Sequence, residues 1–195
     1  PGLTEQDVKD IYADYHNVDL TIYPGFPYNV DSTKHIDMWM QPVGDYKVII
    51  GQYPGDDSYE PHKITEDATA DLEDRGYTVY RTPGWNSGSG GYNGTHYTYT
   101  NSVVLNDLVF IPTFSGYSAE NAQAKAVFET AFPDHQIIQV DCSSIIHAAG
   151  AIHCSMMHVA GYSTTMRVNP GGGLDSSGPV GGPFTPDSIV YTVEN

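Results

Sequence analysis

The sequence predicts an α+β fold built from a repeated strand, turn, strand, helix, strand unit (a ββαβ repeat), of which the chain supplies about three copies. Three observations carry that expectation. The stretches that begin at Asp37 and at Asn101, 64 residues apart, run through the same succession of patterns. Cys154 follows Asn101 by a further 53 residues, where a third copy would open. Each of the three positions holds a residue capable of chemistry, which suggests units facing a shared centre.

The elements follow in order. Residues 4–15 read as a helix with Thr4 as its N-cap. Residues 19–23 read as a strand, so the two form the closing half of an earlier copy. From Asp37 the pattern gives a strand over 38–40, a turn at Gly44-Asp45 and an apolar strand over 46–52. After a Gly/Pro break come an amphipathic helix over 64–75 and an alternating strand over 77–80. From Asn101 it gives a strand over 102–105, a turn at Asn106-Asp107, a strand over 108–113, a helix over 119–132 and a strand over 136–140. Cys154 is then expected on the first strand of the third copy, over 151–159, with a short strand at 164–168. Residues 169–187 contain Gly171-Gly172-Gly173 and Gly181-Gly182-Pro183 and read as a linker, and 188–195 as the start of a following strand or module, which leaves 1–168 as the folded part.

Composition narrows the function classes. A formal net charge of −16 disfavours nucleic acid, whose phosphates need a basic surface. It fits a cationic substrate, and equally a surface that serves solubility. No run of about 18 apolar residues marks a membrane span, and no targeting pattern is present. The chain begins at Pro1, which fits either a removed leader or a piece of a longer protein.

Two cysteines, Cys142 and Cys154, fit a disulfide in an exported protein or, if Cys154 is a nucleophile, a free thiol beside a small packed residue at position 142. Cys142, His147, His153, Cys154 and His158 crowd one window and invite a zinc reading. Strand geometry argues against it. His153 and Cys154 would point to opposite faces, and Cys154 and His158 would lie about 13 Å apart. No metal is therefore expected, and no cofactor. The acids Asp56, Asp57, Asp71 and Asp74 follow no spaced loop of oxygen ligands.

Four motifs in order carry a family resemblance: His35-Ile36-Asp37 before a strand hairpin, Tyr99-Thr100-Asn101-Ser102 leading to Val109-Phe110-Ile111-Pro112, Phe132-Pro133-Asp134 ahead of a strand, and Gly150-Ala151-Ile152-His153-Cys154. Together they resemble the bacterial peptidylarginine deiminase and agmatine deiminase family. The resemblance implies the pentein fold, five ββαβ units around a pseudo-fivefold axis, with this chain as the carboxy-terminal portion. It implies hydrolysis of a guanidinium. Cys154 would be the nucleophile that forms a covalent amidino-thioether, and His35 the general acid and base, since imidazole titrates near neutrality. Asp37 would grip the planar cation through two parallel hydrogen bonds, and Asn101 would contact substrate beside the cysteine. On a strand, His35 and Asp37 would face the same way about 6.6 Å apart, a spacing that straddles one guanidinium.

Plainer readings accompany these. A His-x-Asp is often mere surface polarity, Asn101 also fits a strand start, and His153 is expected to point away from Cys154 in a structural role. The Gly- and Tyr-rich tract 85–99 fits a mobile substrate loop or an ordered surface loop. The family's first half carries a further guanidinium-binding carboxylate, so an amino-terminal half is expected as a separate chain or a missing segment. Ser155-Met156-Met157-His158 replaces a polar, Gln-containing run associated with agmatine enzymes. With the linker, this favours peptide or protein arginine as substrate, with agmatine second, and a secreted or extracytoplasmic location. A catalytically inactive binding module and amidino transfer to an amine remain as alternatives.

Overall fold

A computed structural model describes residues 2–157. The expected strands at 164–168 and 188–193 and the linker at 169–187 lie outside the described residues.

Helix α1 (Glu5–His16) opens on Thr4, whose hydroxyl accepts the Asp7 N–H while the Asp7 carboxylate accepts the Thr4 N–H. This reciprocal capping satisfies two otherwise orphaned donors. The helix ends at Asn17 in the left-handed region (φ 52°). The strand expected at 19–23 does not form. The segment is tied instead by side chains: Tyr23 Oη donates to Asp71 Oδ2 at 2.6 Å and Arg75 donates to Thr21 Oγ1 at 2.9 Å.

The first complete unit consists of β1 (Met40–Gly44), β2 (Lys47–Gln52), α2 (Glu60–Asp74) and β3 (Thr78–Asn86). Strand β1 begins at Met40 because residues 36–38 close a 3₁₀ turn, in which His35 and Ile36 carbonyls accept the Met38 and Trp39 N–H groups. A tight turn joins β1 to its antiparallel neighbour β2 with Gly44 and Tyr46 at positive φ. Helix α2 starts one turn earlier than its apolar pattern indicates. Pro61 sits in that first turn, where its missing N–H costs nothing.

Strand β3 runs past the expected stop at Tyr80 because it changes partner. It pairs parallel with β2 as far as Gln52↔Pro83, then antiparallel with β4 (His96–Thr98) from Gly84↔Thr98. Pro83 and Gly84 thus stand at the handover, where a missing donor is tolerated. The second unit is β5 (Val103–Leu105), β6 (Leu108–Thr113), α3 (Ser118–Ala131) and β7 (Gln136–Asp141), with β6 between its neighbours.

Strand β2 is buried on both faces, as a parallel-sheet interior strand should be. Val48 and Ile50 face a core with Phe26, Trp39, Tyr53, Ala68 and Leu72. Ile49 faces the other core, with Tyr99, Val109, Ile111, Phe114 and Phe128. Among the described residues no helix is long and apolar enough to cross a membrane.

Candidate active site

Three segments meet at one place, each just ahead of, or at the expected start of, a repeat. The first is the turn at 36–38. Asp31 Oδ1 accepts the Thr33 N–H and hydroxyl, and Thr33 Oγ1 accepts the His35 N–H, so this polar loop fixes the entry to the turn. The second is residues 99–102, all buried. Thr98 and Thr100 hydroxyls bond at 2.9 Å, and Thr100 Oγ1 donates to the Asp37 carbonyl at 2.9 Å. The third is the segment around Cys154.

Asn101 joins the three. Its Nδ2 donates to Asp37 Oδ2 at 2.7 Å and to Cys154 Sγ at 3.0 Å. Its Oδ1 accepts the N–H groups of Ala151 at 2.8 Å and Cys154 at 3.2 Å. The residue is fully buried at 0% exposure, so both ends of its amide serve the chain itself. The resemblance implied substrate contact for Asn101; in the structure its amide bonds Asp37, Cys154 and Ala151.

Cys154 does not lie on a strand. Residues 153–155 form a 3₁₀ turn, with Ser155 and Met156 N–H groups bonded to the Ile152 and His153 carbonyls and Ser155 Oγ donating to Ala151 O at 2.7 Å. The donors that a strand would spend on a neighbour go to Asn101 and to this turn. His153 consequently does not point away: its Nδ1 lies 2.6 Å from Asp37 Oδ2. Position 150 must be glycine, because a Cβ there would sit 2.6 Å from Cys154 Cβ and 3.0 Å from its sulfur.

Likewise His35 and Asp37 sit on a turn rather than a strand, yet they converge with the cysteine. One ligand atom from each of His35, Asp37 and Cys154 lies within 4.8 Å of the others. The strand-based argument against zinc therefore falls with the strand. Of the window that suggested it, Cys142 is a buried free thiol in the core and His147 Nδ1 pairs with Thr95 Oγ1 at 2.8 Å, while His158 lies outside the described residues. Cys154 is free as well, and exposed, so the disulfide alternative does not hold.

Burial holds the Cys154 thiol above its ordinary pKa, and the neighbouring Asp37 charge pushes the same way, against the Asn101 hydrogen bond. The hydrogen bond that the His153 ring donates to Asp37 raises the His153 pKa and favours its cationic form. The sequence reading gave His153 a structural role away from Cys154 and Thr100 no role of its own; their adjacency to Cys154 and Asn101 was the only signal of the contacts with Asp37. The tract 85–99 is an ordered hairpin: Trp85 stacks on Tyr97 at 4.9 Å, and Asn86 bonds Val30, Gly88 and Gly94 backbone groups.

A free thiol and a carboxylate held together by one buried amide, with the His35 imidazole close by, can attack, bind a planar cation and protonate. The agmatine deiminase of Pseudomonas putida is 22% identical over 180 residues, 79% of this chain and 48% of the relative. The structure of Campylobacter jejuni agmatine deiminase matches with a TM-score of 0.63 at 21% identity, over 78% of this chain and 46% of that one. The Enterococcus faecalis agmatine deiminase matches with a TM-score of 0.61 at 19% identity, over 77% and 47%. The fold is the pentein fold of these deiminases, and the chain spans about half the length of the curated relatives it matches. The family model of the Porphyromonas-type peptidyl-arginine deiminases matches residues 1–159, and the chain belongs to that family.

Proposed function

We propose that the whole protein hydrolyses the guanidinium of arginine in peptides or proteins to citrulline and ammonia. The convergence of His35, Asp37 and Cys154 within 4.8 Å carries this reading. Asp37 holds the guanidinium by charge-assisted hydrogen bonds. The Cys154 thiolate attacks the guanidinium carbon, and the tetrahedral adduct expels ammonia with a proton from His35. Water, deprotonated by His35, then attacks the amidino-thioether, and collapse releases the ureido product and the thiolate.

Substrate binding favours the nucleophile in this scheme. Asp37 disfavours the thiolate while it stands alone. A guanidinium on its carboxylate offsets that charge and lowers the thiol pKa. The other half of the domain, as a separate chain or a further segment, supplies the remaining carboxylate for the cation. Export from the cytoplasm is part of the same proposal.

Agmatine is the second reading, favoured by the names of the matched relatives. Peptidyl arginine is favoured by Ser155-Met156-Met157 after the nucleophile, where exposed apolar side chains replace a polar run. Ammonia and ureido-product release from an arginine peptide and from agmatine, using the full-length protein with Cys154→Ala as control, tests both. Turnover of the peptide that vanishes in the variant supports the proposal, and turnover of agmatine alone moves it to the second reading. Silence on both by folded protein leaves a binding module.

A further inference from the structure

His35, Asp37 and Cys154 present an imidazole nitrogen, a carboxylate oxygen and a sulfur within 4.8 Å of one another. We infer that this cluster is also a reversible binding site for a borderline-soft divalent cation, zinc foremost, whose occupancy blocks the thiol. The inference concerns metal uptake and does not rest on the deiminase reading.

Geometry comes first. Zinc bonds of roughly 2.0–2.3 Å in a tetrahedron put neighbouring ligand atoms about 3.5 Å apart. The three side chains need to move by about an ångström to close on one ion. His35 and Asp37 are partly exposed and Cys154 is exposed, so no packed core has to give way. Three protein ligands leave a fourth position for water, the arrangement of three protein ligands plus one open site.

The surroundings suit a ligand set. Carboxylates that bind metal are oriented by hydrogen bonds from behind. Asp37 Oδ2 accepts from Asn101 Nδ2 at 2.7 Å and from His153 Nδ1 at 2.6 Å, besides the longer contact from Cys154 Sγ at 3.7 Å. Asn101 Nδ2 also donates to Cys154 Sγ, which helps hold the thiolate a metal requires. One thiolate and one carboxylate oppose the two charges of the ion, on a chain whose formal net charge is −16. Binding breaks the S–H bond, forms a Zn–S bond and delivers the proton to the buffer. Magnesium and calcium prefer sets made wholly of oxygen, so a sulfur and an imidazole select against them.

Titration calorimetry of zinc chloride into the full-length protein tests the site. We expect one equivalent bound with release of about one proton, no heat from magnesium chloride, and protection of Cys154 from iodoacetamide that a chelator reverses. Affinity should fall roughly 100-fold in Cys154→Ala and in His35→Ala, and stay unchanged in Cys142→Ala and His147→Ala, with circular dichroism confirming that each variant is folded. Zinc uptake that survives Cys154→Ala and His35→Ala would place the metal on surface histidines and overturn the inference, as would no uptake at all. Loss of metal binding in an active deiminase, or metal binding by a protein silent on both substrates, separates this inference from the proposed reaction.

Discussion

The side-chain amide of Asn101 donates to the sulfur of Cys154 at 3.0 Å across 53 residues of chain, while its oxygen takes that cysteine's own N–H at 3.2 Å. One buried side chain therefore sets both the backbone and the thiol of Cys154.

Replacing it tests that arrangement. Asn101→Ala leaves the Ala151 and Cys154 N–H groups without their acceptor, at a cost of about 1–3 kcal/mol. It also removes the donor that favours thiolate. We expect a lower melting temperature, slower iodoacetamide labelling of Cys154 near pH 8 and a kcat lower by about 100-fold. Unchanged labelling in a destabilised variant would show that the amide only holds the loop.

Labelling of Cys154 as a function of pH should give a midpoint above the ordinary thiol value of about 8.5, since burial and Asp37 both disfavour the thiolate. Asp37→Asn removes the charge and should move the midpoint down. A simple guanidinium salt should do the same in the parent protein and have little effect in the variant. A midpoint below the ordinary value contradicts the assignment of causes.

Stability should fall on mild acidification, and His96 is one cause. The residue is buried, its Nε2 lies 2.5 Å from Tyr53 Oη and its Nδ1 has no partner among the described residues. Burial pushes its pKa down to about 3. An unfolded chain takes up that proton near pH 6.5. Between roughly pH 6.5 and 3 the unfolded state thus binds a proton the native state lacks, and stability drops as pH falls, by up to about 1.4 kcal/mol per pH unit. Chemical denaturation at several pH values should give a shallower slope for His96→Gln. Identical slopes would remove His96 from the account.

Much of this fold was legible because local patterns and tertiary structure agree. The second unit follows its predicted elements closely, since Asn106-Asp107 supplies the tight turn and the apolar periods of β6 and α3 match the faces they bury. The segment around Cys154 was not legible. Its residues resemble a strand, but the hydrogen bonds that decide its shape come from Asn101, 50 residues upstream at Ala151. Strand β3 was cut short for a similar reason: Pro83-Gly84 ends most strands, and only a change of partner lets this one continue. His35, Asp37 and Cys154 were singled out from the repeat register and the family resemblance, and the structure brings them together, whereas the approach of His153 depends on the turn.

Glycines 51 and 84 flank the buried ring of Tyr53, and a Cβ at either would meet ring carbons at 2.8 Å. Gly84→Ala should therefore destabilise by about 1–3 kcal/mol in a thermal or denaturant melt. Tyr53→Phe should not rescue it, because the collision is with the ring and not the hydroxyl. Rescue by Tyr53→Phe would locate the strain in the contact with His96 instead.

The turn that carries Asp37 precedes the first unit, the segment that carries Asn101 precedes the second, and the turn that carries Cys154 follows the second. The chemistry is consequently a property of the seams between repeats. Warming that loosens one seam by an ångström would silence the protein while every helix and strand remained spectroscopically intact, so activity should fade at a lower temperature than secondary structure.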